Sequence, residues 1–138
     1  MAAAPTTLPA QLRVAATPNQ LTIVRAVAAA VAGAANFDLD SISDIRLAVD
    51  EACTQLIRHA APDATMYCSF ESADETLRVT VSVWPLASEP SQHKTFGWHV
   101  LSSLTDAAEM TERPLPDDAS VSTPAVSFVK ARMTDGPV

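Results

Sequence analysis

The sequence has 138 residues, enough for one domain with a proper core, and its 48% hydrophobic and 18% charged residues exclude a disordered chain. Its net charge of −7 and pI near 4.7 argue against nucleic-acid binding, because such binding depends largely on phosphate neutralisation by basic residues. The longest apolar run, residues 23–35, is interrupted by Arg25 and is too short for a transmembrane helix of about 20 residues. The first ten residues lack the pattern of a secretory signal, so we expect a cytoplasmic protein that does not contact a membrane.

The first elements follow a loose tail predicted at residues 1–10, which is rich in Ala, Pro and Thr. A strand is expected at residues 11–16. Thr17 then begins a helix as its cap, Pro18 suits the first helical position, and Gln20 completes a capping box. Gly33 stands near the expected end of this helix. Its apolar face contains Leu21, Val24, Val27, Ala28 and Val31.

A second helix is predicted from Asp40 or Ser41 to about Ala60, with Pro62 ending the run. Its apolar residues recur at helical spacing: Ile42, Ile45, Val49, Ala52, Cys53 and Leu56. Two strands follow at residues 66–71 and 77–83, where apolar and polar residues alternate. The polar residues 72–75 between them predict a hairpin.

Residues 84–94 contain two prolines and are predicted to form a loop. A third helix is expected at about residues 96–107, and two last strands at residues 108–113 and 121–132. The order β-α-α-β-β-loop-α-β-β predicts an α+β two-layer sandwich: one mostly antiparallel sheet with helices on one face. The domain then spans residues 11–132, and residues 133–138 form a second tail.

The two cysteines fall within different elements, Cys53 in the second helix and Cys68 in a strand. Both positions suit small buried hydrophobic residues in a reducing compartment, so no structural disulfide is expected. No Cys or His spacing matches a zinc site. The two tryptophans, Trp84 and Trp98, would be interface anchors if exposed and core residues if buried, and both interpretations stay open.

Glu51 and Gln55 are four residues apart on the second helix and therefore point in the same direction. A carboxylate beside the apolar face would act as a base, or orient a metal-bound water, if it faced a nucleotide. On spacing alone, a solvated helix edge is the favoured interpretation.

The segment LAVDEACTQLIRHA, residues 47–60, resembles the N-box helix of the anti-sigma-factor serine kinases of the GHKL ATPase superfamily. The family pattern reads approximately AVSEACTNAVxH. Arg25, 26 residues before Glu51, stands where family members carry an arginine on the first helix. The elements also follow the family's order, and the resemblance covers about residues 11–132.

The resemblance implies that Glu51 is the base that activates a serine hydroxyl, and that Gln55 replaces the asparagine that holds magnesium. The family's adenine-reading aspartate falls at Val83 or Trp84, neither of which has an acceptor side chain. The glycines that follow this aspartate in the family are absent. The resemblance therefore implies ATP and magnesium as cofactors. The motifs that would bind them are altered in this chain.

The glycine-rich start of the family's third helix corresponds here to Thr95 and Gly97, with Thr95 in place of the first glycine. Ser127 is the nearest match to a family threonine in the last strand. The resemblance thus assigns Thr95, Gly97 and Ser127, with Gln55, to cofactor binding. A helix start at residue 95 would favour an anion.

Two functions follow from the resemblance. In the first, the protein is an anti-sigma factor that sequesters an alternative sigma factor of the stress or sporulation type, is relieved by a STAS-type anti-anti-sigma partner, and forms a homodimer. Arg25 is the expected partner contact. In the second, it is an ATP-dependent serine kinase that phosphorylates the anti-anti-sigma partner. A sensor-type module with an unrelated partner is a third possibility. The altered nucleotide motifs favour the first function.

Overall fold

Five segments with alternating apolar residues pair into one antiparallel sheet in the computed structural model, which describes residues 9–91 and 95–133. The strands are β1 (Ala10–Ala15), β2 (Ala60–Ala73), β3 (Thr76–Leu86), β4 (Ala107–Pro114) and β5 (Ser122–Ala131). The described helices are α1 (Leu21–Ala34), α2 (Leu39–Ile57) and α3 (Phe96–Leu104). This arrangement confirms the predicted α+β sandwich and its order of elements.

Several predicted boundaries were wrong because strand pairing reaches further than the sequence pattern shows. Helix α2 ends at Ile57 rather than near Ala60, since Ala60 already pairs with Leu86 on β3. Strand pairing also ends α3 at Leu104, because Ala107 joins β4. Pro62 therefore lies within the irregular start of β2 and does not terminate the helix.

The predicted loop at residues 84–94 is shorter than expected. Its first three residues extend β3 to Leu86, and a backbone hydrogen bond of 2.8 Å from Ala87 N to His59 O continues this edge. Residues 92–94 of that loop lie outside the described part of the chain, as do residues 1–8 and 134–138 of the two predicted tails.

The first two helices start in different ways. Thr17 precedes a 3-10 turn, Pro18–Gln20, but its hydroxyl donates to the Asn19 side chain and caps no helical N–H, so the predicted capping box does not form. Asp38 caps α2 instead: its Oδ1 accepts from Ser41 N at 2.7 Å. Hydrogen bonds from Ser41 lower the pKa of the Asp38 carboxyl below its ordinary value of 3.8.

Within the described residues, no helix has both the length and the hydropathy needed to cross a bilayer.

The sheet has the order β1-β2-β3-β5-β4, and each neighbouring pair is antiparallel. Strands β2 and β3 form the predicted hairpin, with Ala73 opposite Thr76 and Asp74 in the left-handed region at φ 55°. The chain then leaves the sheet for α3 and returns at the edge strand β4.

One face of the sheet packs against the helices, and the alternation along each strand selects the residues on that face. The fully or nearly fully buried side chains of this layer are Met66, Cys68, Phe70, Leu77, Val79, Val81, Val83, Val126 and Phe128. The helices contribute their own buried residues, with Val24 from α1, Leu56 from α2 and Leu101 from α3 among them. The core therefore lies between the sheet and α2, with α1 and α3 on either side of that helix.

The other face of the sheet carries polar side chains and is partly covered by the loop between β4 and β5. Asp117 in this loop forms an ion pair with Arg13 on β1, the strand at the opposite edge of the sheet. A shallow groove between the loop and the strands is lined by Tyr67, Ser69 and Ser82 among others. This face is separated from the helices by the thickness of the sheet.

We predict that Phe70→Ala lowers the free energy of unfolding by about 3–5 kcal/mol, because Phe70 is fully buried and its removal leaves a cavity. The matched control is Phe96→Ala, at a phenylalanine that is 82% exposed, where the expected change is below about 0.5 kcal/mol. Urea unfolding followed by circular dichroism measures both. Equal losses in the two variants would contradict this account of the core.

Candidate functional site

Glu51 and Gln55 on α2 point in the same direction, as their spacing predicts, and that direction is towards α3. Glu51 is half-buried, whereas Gln55 is only 6% exposed and its Nε2 has no hydrogen-bond partner within the described structure. The two side chains lie at the edge of the α2 face that packs on the sheet. The two side chains therefore do not lie on a solvated helix edge, in contrast to the interpretation that spacing alone favoured.

Gly97 lies directly against both side chains. A methyl group at its α-carbon would be 2.5 Å from Gln55 Nε2 and 2.7 Å from Glu51 Oε2, much closer than nonbonded atoms approach one another. The first turn of α3 thus touches α2 with no space between them. An alanine here would have to push the ends of both side chains aside.

Thr95 is the N-cap of α3. Its side-chain oxygen accepts a hydrogen bond of 3.1 Å from Trp98 N, and its carbonyl accepts one of 3.0 Å from His99 N. The Thr95 hydroxyl is thus used in starting the helix. The two tryptophans differ in exposure. Trp98 is 9% exposed and is a core residue, whereas Trp84 is exposed near the end of β3.

Ser127 does not join this group. It lies on β5 between Val126 and Phe128, both of which face the helices, so strand alternation directs Ser127 to the opposite face of the sheet. There its Oγ is 3.2 Å from Thr80 Oγ1 and accepts a weak hydrogen bond of 3.4 Å from Arg78. Ser127 therefore lies on the face of the sheet away from Glu51 and Gln55, and its assignment to cofactor binding stays a prediction.

The two candidate positions of the adenine-reading residue have different surroundings. Val83 is fully buried under the helices, and Trp84, the next residue, points away from them. Neither side chain accepts a hydrogen bond. Whichever of the two aligns with the family aspartate, its side chain offers no acceptor for an adenine amino group.

The described residues do not fit a magnesium-bound nucleotide. Magnesium requires a near-octahedral shell of oxygen ligands at about 2.0–2.1 Å. Gly97 in the first turn of α3 lies directly against the Gln55 amide, on the side where such a shell would need room.

Arg25 lies on the other side of α2 from Gly97. Its guanidinium donates to Asp50 Oδ1 at 2.9 Å, and both side chains are about one-third exposed. Leu47, one turn before Asp50 on α2, is 53% exposed. The three side chains form a surface that combines an accessible charge pair with an apolar residue, which we call the Arg25 surface.

Sequence reasoning missed two charged residues of this layer. Asp50 is adjacent to Glu51, and the helical rotation between neighbours could have indicated that only one of the two carboxylates faces α3. Lys130 on β5 donates to Leu104 O at the end of α3 at 3.1 Å and lies 3.5 Å from Asp44 Oδ2 on α2. No sequence pattern signals that contact, because it joins three elements that are distant along the chain.

The two cysteines meet within the core. Cys53 on α2 and Cys68 on β2 are free thiols, and both are buried. A hydrogen bond with Cys68, together with burial, raises the pKa of the Cys53 thiol well above its ordinary value. A thiol with a raised pKa is a weak nucleophile, so the pair acts as part of the core packing.

Comparisons with known proteins match most of this chain. Residues 14–116 match the family model of the histidine kinase-like ATPase domain. The chain is also 36% identical over 96 residues to the anti-sigma-F factor RsbW of Mycobacterium tuberculosis, from strains CDC 1551 / Oshkosh and ATCC 25618 / H37Rv. That match covers 70% of this chain and 57% of the relative, so the chain spans little more than half the length of RsbW.

The close contact at Gly97 predicts a contrast between two glycine substitutions. A methyl group at Gly33 on α1 meets no atom within 4 Å, so Gly33→Ala should raise the free energy of unfolding by about 0.5 kcal/mol through helix propensity. Gly97→Ala must displace Gln55 and Glu51, so we expect no gain, or a loss of about 1 kcal/mol. Urea unfolding measures both changes.

A further variant isolates the contact itself. In a Glu51→Ala/Gln55→Ala background the methyl group has room, so Gly97→Ala should there give the same gain as Gly33→Ala. A gain from Gly97→Ala in the otherwise unchanged protein would show that α3 does not touch these side chains.

Proposed function

We propose that this chain, which belongs to the histidine kinase-like ATPase domain family, is an anti-sigma factor that binds an alternative sigma factor and blocks its docking on RNA polymerase. The observation that carries the proposal is the 36% identity to a protein named as an anti-sigma factor. The net charge of −7 supports action through a protein partner rather than through DNA.

The Arg25 surface supports a binding role. An arginine beside an exposed leucine suits a protein interface, because the guanidinium supplies several donors and the leucine supplies apolar area. Arg25 is already held by Asp50, so little side-chain entropy is lost when a partner binds. An acidic group on the partner would compete with Asp50 for the same guanidinium.

Further features of the proposal follow from the family resemblance. A STAS-type anti-anti-sigma factor would release the sigma factor by competing for the protein. The working unit would be a homodimer in the cytoplasm, as expected from the sequence. None of these features requires nucleotide chemistry.

A serine kinase activity on the anti-anti-sigma partner is the second candidate, with Glu51 as base and Gln55 as magnesium ligand. The proximity of these two side chains is the observation that favours it. The same contact with Gly97 argues against it. We therefore expect no phosphoserine on an anti-anti-sigma partner after incubation with Mg-ATP. Incorporation that Glu51→Ala abolishes, measured by mass spectrometry, would establish the kinase instead.

The anti-sigma proposal is tested by capture of purified alternative sigma factors from the source organism. We expect one of them to bind, and Arg25→Glu to weaken that binding by at least about tenfold, because it reverses the charge at the centre of the interface. Calorimetric titration measures both affinities.

Two control variants separate contact from folding. Arg78→Glu reverses an exposed charge on the opposite face of the sheet and should leave capture unchanged. The exchange Arg25→Asp/Asp50→Arg keeps an ion pair between α1 and α2, so it should fold normally and still lose capture. If Arg25→Glu captures the sigma factor as well as the unchanged protein does, Arg25 is not the contact; if no sigma factor binds, the anti-sigma role is wrong.

A further inference from the structure

Helix α3 has a complementary charge at each end. Phe96 and Gly97 are its first residues, so their N–H groups have no acceptor within the helix, and the Glu51 carboxylate lies against this end. At the other end, the Lys130 ammonium donates to Leu104 O at 3.1 Å. A negative group at the start of a helix and a positive group at its end both favour the helix dipole.

The cleft between α2 and α3 therefore already contains an anion. The Glu51 carboxylate lies at the first turn of α3, where the free N–H groups of the helix would otherwise favour an incoming phosphate. Any such phosphate would have to displace a carboxylate fixed to the same chain.

Gln55 also contacts the first turn of α3, beside Glu51. It is buried, and its Nε2 lies towards Gly97 without a hydrogen-bond partner within the described structure. A buried amide without a partner is unfavourable, so packing of α3 must hold it in place. Gln55 thus fills space under the first turn, where the shorter asparagine of the family pattern would leave a gap of about one carbon–carbon bond.

We propose that Glu51 and Gln55 form the seat of α3 in this chain, and that this contact closes the cleft to magnesium-bound phosphate. Glu51 is then a positioning residue that holds α3 through its charge. The resulting state is an α3 helix docked on α2 before any ligand arrives. This inference does not depend on the anti-sigma role, and failure of sigma-factor capture would leave it unaffected.

The seat is tested with Trp98 as a reporter on α3. The chain has two tryptophans, so Trp84→Phe leaves the buried Trp98 as the only one. In this background we expect Glu51→Gln, which removes the charge and keeps the shape, to raise acrylamide quenching of Trp98 by about twofold or more through local opening of α3. Far-UV circular dichroism establishes that the sheet stays folded.

The matched control is Asp50→Asn. It neutralises the neighbouring carboxylate on α2, which faces Arg25 rather than α3, and should leave Trp98 quenching at the level of the background. Equal quenching in Glu51→Gln and Asp50→Asn would show that Glu51 does not hold α3, and the proposal would be wrong.

Closure of the cleft is tested on the unchanged protein, so it does not depend on whether a variant folds. Calorimetric titration with Mg-ATP should give no saturable binding with a dissociation constant below about 1 mM. Binding tighter than this that Gln55→Ala removes would show that the cleft opens to nucleotide and would overturn the proposal.

Discussion

Helix α2 places every other element of the helical layer, because its buried face packs along the centre of the sheet while its two sides contact different helices. Neighbouring residues on a helix are rotated by about 100° from one another. Asp50 and Glu51 therefore reach in different directions, one to Arg25 on α1 and the other to Gly97 on α3. A single acidic dipeptide thus determines both the accessible charge pair and the closed cleft, and the same helix would hold neither if it were rotated by one residue.

Much of this architecture is present in the sequence. The helical spacing of Ile45, Val49 and Leu56 specifies the buried face of α2, and the alternation from Leu77 to Val83 specifies which face of β3 is buried. Local patterns predict these features because burial of apolar surface is the largest favourable contribution to folding. The position of Ser127 was also readable, since the apolar residues on either side of it already assign it to the other face of the strand.

The remaining features depend on contacts between distant segments. The hydroxyl of Thr17 binds Asn19 instead of capping the helix, a choice between two nearby partners that composition does not decide. The close approach of Gly97 to Glu51 and Gln55 joins residues more than 40 positions apart, and only the packing of α3 brings them together. A fold can thus keep a family's N-box helix while the side chains on it contact other groups, so the fold by itself does not establish the chemistry.

The contact of Lys130 with the end of α3 makes this helix sensitive to the salt concentration. The two ends of this helix are held by charges that act on a dipole, whereas the sheet is held by backbone pairing and apolar contact. Dissolved ions screen charge interactions over about 10 Å at 0.1 M ionic strength and leave apolar contact largely unaffected. Ionic strength therefore acts on this molecule unevenly: it weakens the charge contacts at the two ends of α3, while the buried Trp98 and Leu101 and the strand pairing of the sheet are largely unaffected.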